Sequence, residues 1–335
     1  MAHVNVRSAV SGSDDLERIV ELVPEASANV RRQHVVSQVL LKQFAAPVKH
    51  QSGLQLQPYD LRHPGRRLKT RAPRGVAQIE YFVPFASASL EARWGEIEQE
   101  LPTAFAAVKA GTAVDDPRVN ANLRDLIALH YIRSQHYREV FQRIFAESYA
   151  AQRRWLLAEG AHILQAASLE RTGLHTTGPQ GLAHRADELL SSMAEAYRTG
   201  ALLRVRIEDA FGKARQFTAK LALEILEPDE GEFLIGDNPA LTVRNERDKL
   251  HHSMALGDSQ SVVLPIGPRH MLALGPVNMQ GSIPRAVVDR MNVLQIKAAR
   301  RYVYTCPGSP LAPMIQEFGR HWLADYLLRH GARIA

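Results

Sequence analysis

Three separate stretches of this chain carry side chains that could do chemistry together. His34 and Gln38 lie four residues apart near the start. His130, Arg133, Tyr137 and Arg138 cluster in the middle, and Asp237 and Asn238 follow Gly236 and precede Pro239. A histidine titrates near neutral pH and so suits general acid or base work. A carboxylate could orient that histidine or hold a divalent metal, the one cofactor these residues suggest. Arginines beside a tyrosine can clamp a phosphate or carboxylate in bidentate fashion. If the three stretches converge, His34 and Asp237 are the catalytic pair. Gln38, Arg133, Arg138, Asn238, His130 and Tyr137 then bind substrate. That set suits hydrolysis of nucleic acid or of nucleotide phosphates. The alternative is a non-catalytic binding or regulatory protein in which the same residues form a structural polar network, with Arg133 paired to Asp237.

The elements that must position these residues can be sketched from pattern. Residues 233–241 read as a strand end, a tight polar turn at Gly236-Asp237-Asn238-Pro239, and a second apolar run. Residues 32–45 read as one largely buried helix, with His34 and Gln38 sharing a face. A helix from Pro117 to about residue 150 would place His130, Arg133, Ser134 and Tyr137 on one side. At 100° per residue, Tyr137 lies about 20° and Arg133 about 60° from His130. Residues 54–59 and 66–70 read as a hairpin. Apolar positions at helical spacing from Ser89 predict a helix ending at Gly111, kinked or restarted at Pro102. Further helices are predicted over 151–167 and 182–198.

Beyond Gly200 the pattern turns to strands, including 202–208, with 217–226 strand-like or mixed. A hairpin is predicted at 260–265 and 270–275, a helix at 284–298, a strand at 302–305 and a closing helix at 313–330. Runs of one type rather than strict alternation predict an α+β fold. Its helical middle would pack on a mostly antiparallel sheet built from the N-terminal hairpin and the C-terminal strands. The division is a flexible leader at 1–30 and a single domain over 31–335, helical at 86–200 and strand-rich at 201–305.

Composition narrows the class. The chain has 335 residues, 45% hydrophobic and 23% charged, with net charge +6. The charge permits nucleic acid or nucleotide as partner without demanding it. Cys306 is the single cysteine, which excludes a disulfide framework and a cysteine zinc site. No apolar run approaches the ~20 residues a membrane span needs, and no signal-peptide pattern opens the chain, so no membrane partner and a cytoplasmic setting are expected. Glu91, Glu96, Glu98 and Glu100 read as a solvated acidic face, and Trp94, Trp155 and Trp322 as core anchors.

In order and spacing these motifs resemble the bacterial family known as domain of unknown function 4238. The early signature is similar to His34-x-x-Ser37-Gln38-x-Leu40-Leu41-x-x-Phe44, and the later one to Gly236-Asp237-Asn238-Pro239. Pro265-Ile266-Gly267-Pro268 is similar to a third family turn. The resemblance covers roughly 30 to 330. This chain departs from the family pattern at Ser37 in place of proline, Leu40 in place of an aromatic residue and Gly236 in place of serine. The family has no settled activity, so the resemblance implies an architecture and candidate positions rather than a reaction.

Overall fold

The computed structural model describes residues 12–176, 178–247 and 249–330. Its helices are α1 Gly12–Leu22, α2 Gln38–Gln43, α3 Ser87–Ala110, α4 Pro117–Ile132, α5 Gln135–Ala158, α6 Ala161–Thr172, α7 Pro179–Leu189, α8 Ser191–Thr199, α9 Ala201–Thr218, α10 Arg285–Ala298 and α11 Ala312–His330. Its strands are β1 Arg32–His34, β2 Ala46–Pro47, β3 Leu54–Gln55, β4 Gln57–Asp60, β5 Gln78–Glu80, β6 Ala222–Pro228, β7 Ile235–Gly236, β8 Leu241–Glu246, β9 Lys249–His252, β10 Ser261–Gly267, β11 His270–Gly275, β12 Met279–Ile283 and β13 Tyr302–Thr305. The class is α+β, with a helical middle and antiparallel sheets.

The backbone divides into two units. The first comprises Met1–Arg31, of which residues 12–31 are described, with Val83–Leu90 and Arg138–Glu208. The second comprises Arg32–Phe82, Glu91–Tyr137 and Asp209–Ala335. Part of the leader expected over 1–30 lies outside the described residues, and 12–22 form α1.

In the first unit, Leu156, Leu164, Ala186 and Leu190 make a small apolar core. Phe145 and Tyr197 stack with ring centroids 3.9 Å apart. Arg204 is fully buried, donating to the Ala86 carbonyl at 3.1 Å and pairing with Glu208 at 2.7 Å. Residues 202–208 were expected as a strand. They are the first turns of α9, which begins after Gly200 ends α8 in the left-handed conformation at φ 82°. Leu202, Leu203, Val205 and Ile207 are all buried, so their alternation marks a helix covered on several sides. Trp155, expected as a core anchor, is 47% exposed, whereas Trp94 and Trp322 are buried as anticipated.

In the second unit a six-stranded sheet runs β12-β6-β11-β10-β8-β9. Every neighbouring pair is antiparallel except β12 with β6. The hairpin expected around Gly267 is β10 and β11. One face of this sheet packs Val263, Met271 and Ala273 against Val288, Leu294 and Ala298 of α10. A second, three-stranded sheet has the order β4-β13-β7, all antiparallel. Its core joins Leu61, Leu234 and Val303 to Ile296, Ile315 and Trp322 of α10 and α11. Burying each such aliphatic side chain contributes about 1.5–3 kcal/mol. The N-terminal strand β4 therefore pairs with the C-terminal β13. The expected partner, 66–70, is not a strand, and the chain returns only as a single bridge between Leu56 and Arg71.

Candidate functional site

The turn after β7 is the point where the small sheet, α10 and β13 are tied together. Burial encloses Asp237 to 5% exposure. Its Oδ1 accepts from the Arg300 amide at 2.6 Å, and its Oδ2 accepts from the amides of Arg301 and Tyr302, each at 2.9 Å. Burial pushes its pKa up to about 6, while the three amides and the Arg300 charge pull it back, so the carboxylate is ionised at neutral pH. Asp237 thus orders the start of β13. Asn238 is also buried and donates to the Ala298 carbonyl at 3.2 Å.

Two amides on α10 complete this clamp. Asn292 Oδ1 accepts from the Leu234 amide at 2.9 Å, and its Nδ2 donates to the Glu232 carbonyl at 2.9 Å. Gln295 Oε1 accepts from the Gly236 amide at 3.0 Å, and its Nε2 donates to the Pro239 carbonyl at 2.8 Å. A Cβ at position 236 would stand 3.1 Å from the Gln295 carbonyl oxygen. That close approach favours glycine at this position. Sequence reading missed Asn292 and Gln295. Their spacing of three, one turn apart on an otherwise apolar helix face, was the available signal.

The early and middle stretches meet through His130, which is fully buried. Its Nε2 accepts from the Ser37 amide at 3.1 Å, and its Nδ1 lies 3.0 Å from the Leu126 carbonyl, to which it donates. Burial drives its pKa down to about 3, so the ring is neutral. A proline at 37 would lack the N–H that this bond uses. His34 is not on a helix with Gln38. It ends β1, while Ser37 caps a short α2 by accepting from the Val39 amide at 3.3 Å, and Gln38 is the first residue of that helix. His34 is half-buried, with Nε2 3.1 Å from Gln78 Nε2. Burial first and the Arg133 charge second lower its pKa. The described residues show no hydrogen bond between His34 and Asp237.

The single middle helix expected from Pro117 to residue 150 is broken. Arg133 ends α4 with ψ 39°, and Ser134 Oγ accepts from the Tyr137 amide at 3.1 Å at the start of α5. His130 and Tyr137 therefore sit on different helices, and Arg138 falls in the first unit. The break turns Arg133 inward to 3% exposure. Its guanidinium pairs with Glu91 at 2.9 Å and Glu98 at 2.8 Å and lies 4.6 Å from the Trp94 ring centre. The expected partner, Asp237, is not among these contacts. Glu91 and Glu98, read as solvated, form the inner edge of α3 instead. Burial raises the Glu91 pKa against the pull of Arg133.

What does open to solvent beside this framework is a hollow of about 920 Å³ in the second unit. Arg32, Arg62, Arg66, Arg71, Arg300 and Arg301 line it, with Asp60, Glu80 and Asp237 as the acidic residues. Asp60 accepts from Arg301 Nη2 at 2.8 Å, and its other oxygen caps the turn at the Arg62 amide at 3.0 Å. Glu80 lies 3.8 Å from Arg32. Asp237 is spent on backbone amides. Among the described residues Arg62, Arg66 and Arg71 form no ion pair. Arg62 donates instead to the Tyr326 hydroxyl at 3.1 Å. Ala77, also on the lining, holds φ at 52°, a left-handed conformation unusual outside glycine.

Among the described residues no group of three or more His, Cys, Asp or Glu could hold a metal ion. Burial pushes the Cys306 thiol up to about 11, away from the thiolate a nucleophile needs. No described helix is long and apolar enough to cross a membrane.

No curated protein and no solved structure matches the chain significantly. The family model described as protein of unknown function (DUF4238) matches residues 32–309. This span takes in the His34 stretch, the Arg133 cluster and the Asp237 turn, and the chain belongs to the DUF4238 family.

Proposed function

We propose that this protein binds a phosphate-bearing ligand, a nucleotide or a nucleic-acid strand, in the arginine-lined hollow of its second unit. It acts there as a binding or regulatory protein rather than as a hydrolase. One observation carries the reading: Arg62, Arg66 and Arg71 line the hollow and form no ion pair among the described residues, while its three acidic residues are already engaged. Guanidinium groups without a carboxylate are the natural receptors for phosphate oxygens. The bonds that several of these polar groups already make support a binding role over hydrolysis. Asp237 serves three amides, His130 serves Ser37, and Arg133 is neutralised by two glutamates.

The test is a titration of the full chain with pyrophosphate and with a single-stranded oligonucleotide, repeated on the Arg66→Glu/Arg71→Glu variant. Binding that disappears in the variant at an unchanged melting temperature supports the reading. Binding that survives charge reversal removes the hollow as the site. Turnover of the ligand that Asp237→Asn abolishes in a still-folded protein restores the hydrolase.

A further inference from the structure

The hollow also presents an aromatic surface, which a bare anion site would not need. In β13 successive side chains alternate between faces. Val303 enters the apolar core with Leu61 and Trp322, while Tyr302 and Tyr304 both line the hollow. Tyr304 is buried, and its hydroxyl is hydrogen-bonded to the Ala77 main chain. Tyr302 is half-buried. Its ring centre lies 6.3 Å from that of Tyr304, the planes 24° apart. The Arg301 guanidinium carbon lies 4.8 Å from the Tyr302 ring centre, and Asp60 fixes that guanidinium through Nε at 3.1 Å and Nη2 at 2.8 Å. The Asp237 bond to the Tyr302 amide sets the backbone beneath the ring. The ring is thus held in place before any ligand arrives. Burial first and the Asp60 charge second raise the Tyr302 pKa, against the pull of Arg301 and Arg62.

Phosphate alone would use only the guanidinium groups. A sugar phosphate has no π face to lay on a tyrosine. A nucleotide has both an aromatic base and an anionic end, and stacking tolerates any base. A volume of about 920 Å³ is in the range of small-molecule sites, large enough for one nucleotide. We propose that the ligand is a mononucleotide whose base lies against Tyr302 while its phosphates engage Arg62, Arg66 and Arg71. This rests on the phosphate-binding reading above and deepens it.

The experiment compares AMP with ribose 5-phosphate, which carry the same phosphate and differ in the base, on the full-length wild type. A short oligodeoxythymidine serves as competitor. AMP is expected to bind at least tenfold more tightly than ribose 5-phosphate. Tyr302→Leu should remove that advantage and leave ribose 5-phosphate affinity unchanged. Tyr302→Phe should keep it within twofold, which also covers the case in which the leucine variant does not fold. Equal affinities for the two ligands, or an advantage that survives Tyr302→Leu, overturn the stacking while leaving phosphate binding intact. An oligonucleotide that binds more tightly than AMP overturns the mononucleotide in favour of a strand. Failure of AMP, ribose 5-phosphate and oligonucleotide alike overturns both readings.

Discussion

The Asp237 carboxylate accepts a hydrogen bond from the backbone amide of Arg300 at 2.6 Å. This is the shortest of three bonds by which one side chain orders the approach to β13 and its first residue. The motif that looks most catalytic in the sequence is therefore a backbone clamp. Asp237→Asn replaces an acceptor with an N–H that faces N–H donors. The variant is expected to lose about 2–4 kcal/mol of stability in urea unfolding, the cost of leaving buried donors unmatched. An unchanged unfolding midpoint would mean that the clamp is not what keeps this aspartate in place.

Arg133 makes a parallel case. Removing it leaves the half-buried Glu91 and Glu98 without their shared cation. Arg133→Met should cost about 3–5 kcal/mol, and Glu91→Gln with Glu98→Gln in the same chain should recover a large part of it. A double-mutant cycle by chemical denaturation reads the coupling. Additive losses would contradict a shared network.

His130 predicts an acid limb in stability. Its native pKa, about 3, lies below the ordinary value of 6.5. The unfolded chain therefore binds more protons between those values. The contribution of His130 is full above pH 6.5 and is lost as pH falls toward 3, on the order of 5 kcal/mol in total. Asp237, raised from 3.8 to about 6, works in the opposite direction and offsets part of this between those two values. His130→Gln, which keeps an acceptor for the Ser37 amide, should flatten the fall in stability between neutral pH and pH 4. A wild type equally stable at both ends of that range, with no change in the variant, would mean that the buried ring is not neutral.

Much of the C-terminal half was legible because its signals are local. The Gly267 hairpin, the strand at 302–305 and the closing helices need only alternation, a turn and an amphipathic period. The Asp-Asn-Pro corner was legible as a turn, but its purpose was not. The amides that it serves belong to residues 300–302, and nothing in either stretch names the other. The middle failed for a different reason. A helix drawn through Arg133 looked continuous, and the break became visible only where Ser134 caps a new helix and Glu91 and Glu98 draw the arginine inward. Likewise Val35 and Val36, beta-branched residues read as helix, form a bend after β1 and hand over to a helix that Ser37 starts. The hollow itself was least legible. Its arginines come from a turn, a bridge residue and the entrance to β13, brought side by side by the pairing of β4 with β13.

That pairing leads to the arginines at 66 and 71, whose side chains are exposed and hold no fold together. Arg66→Gln/Arg71→Gln should leave stability within about 0.5 kcal/mol of wild type.

The most direct measurement is the affinity of this double variant and of the wild type for pyrophosphate, at low and at physiological salt. Screening should weaken the wild-type complex as salt rises. The variant should bind roughly tenfold or more weakly at low salt and respond less to salt, as loss of charge-assisted bonds requires. Equal affinity of the two proteins, with the same dependence on salt, would contradict the hollow as a phosphate site.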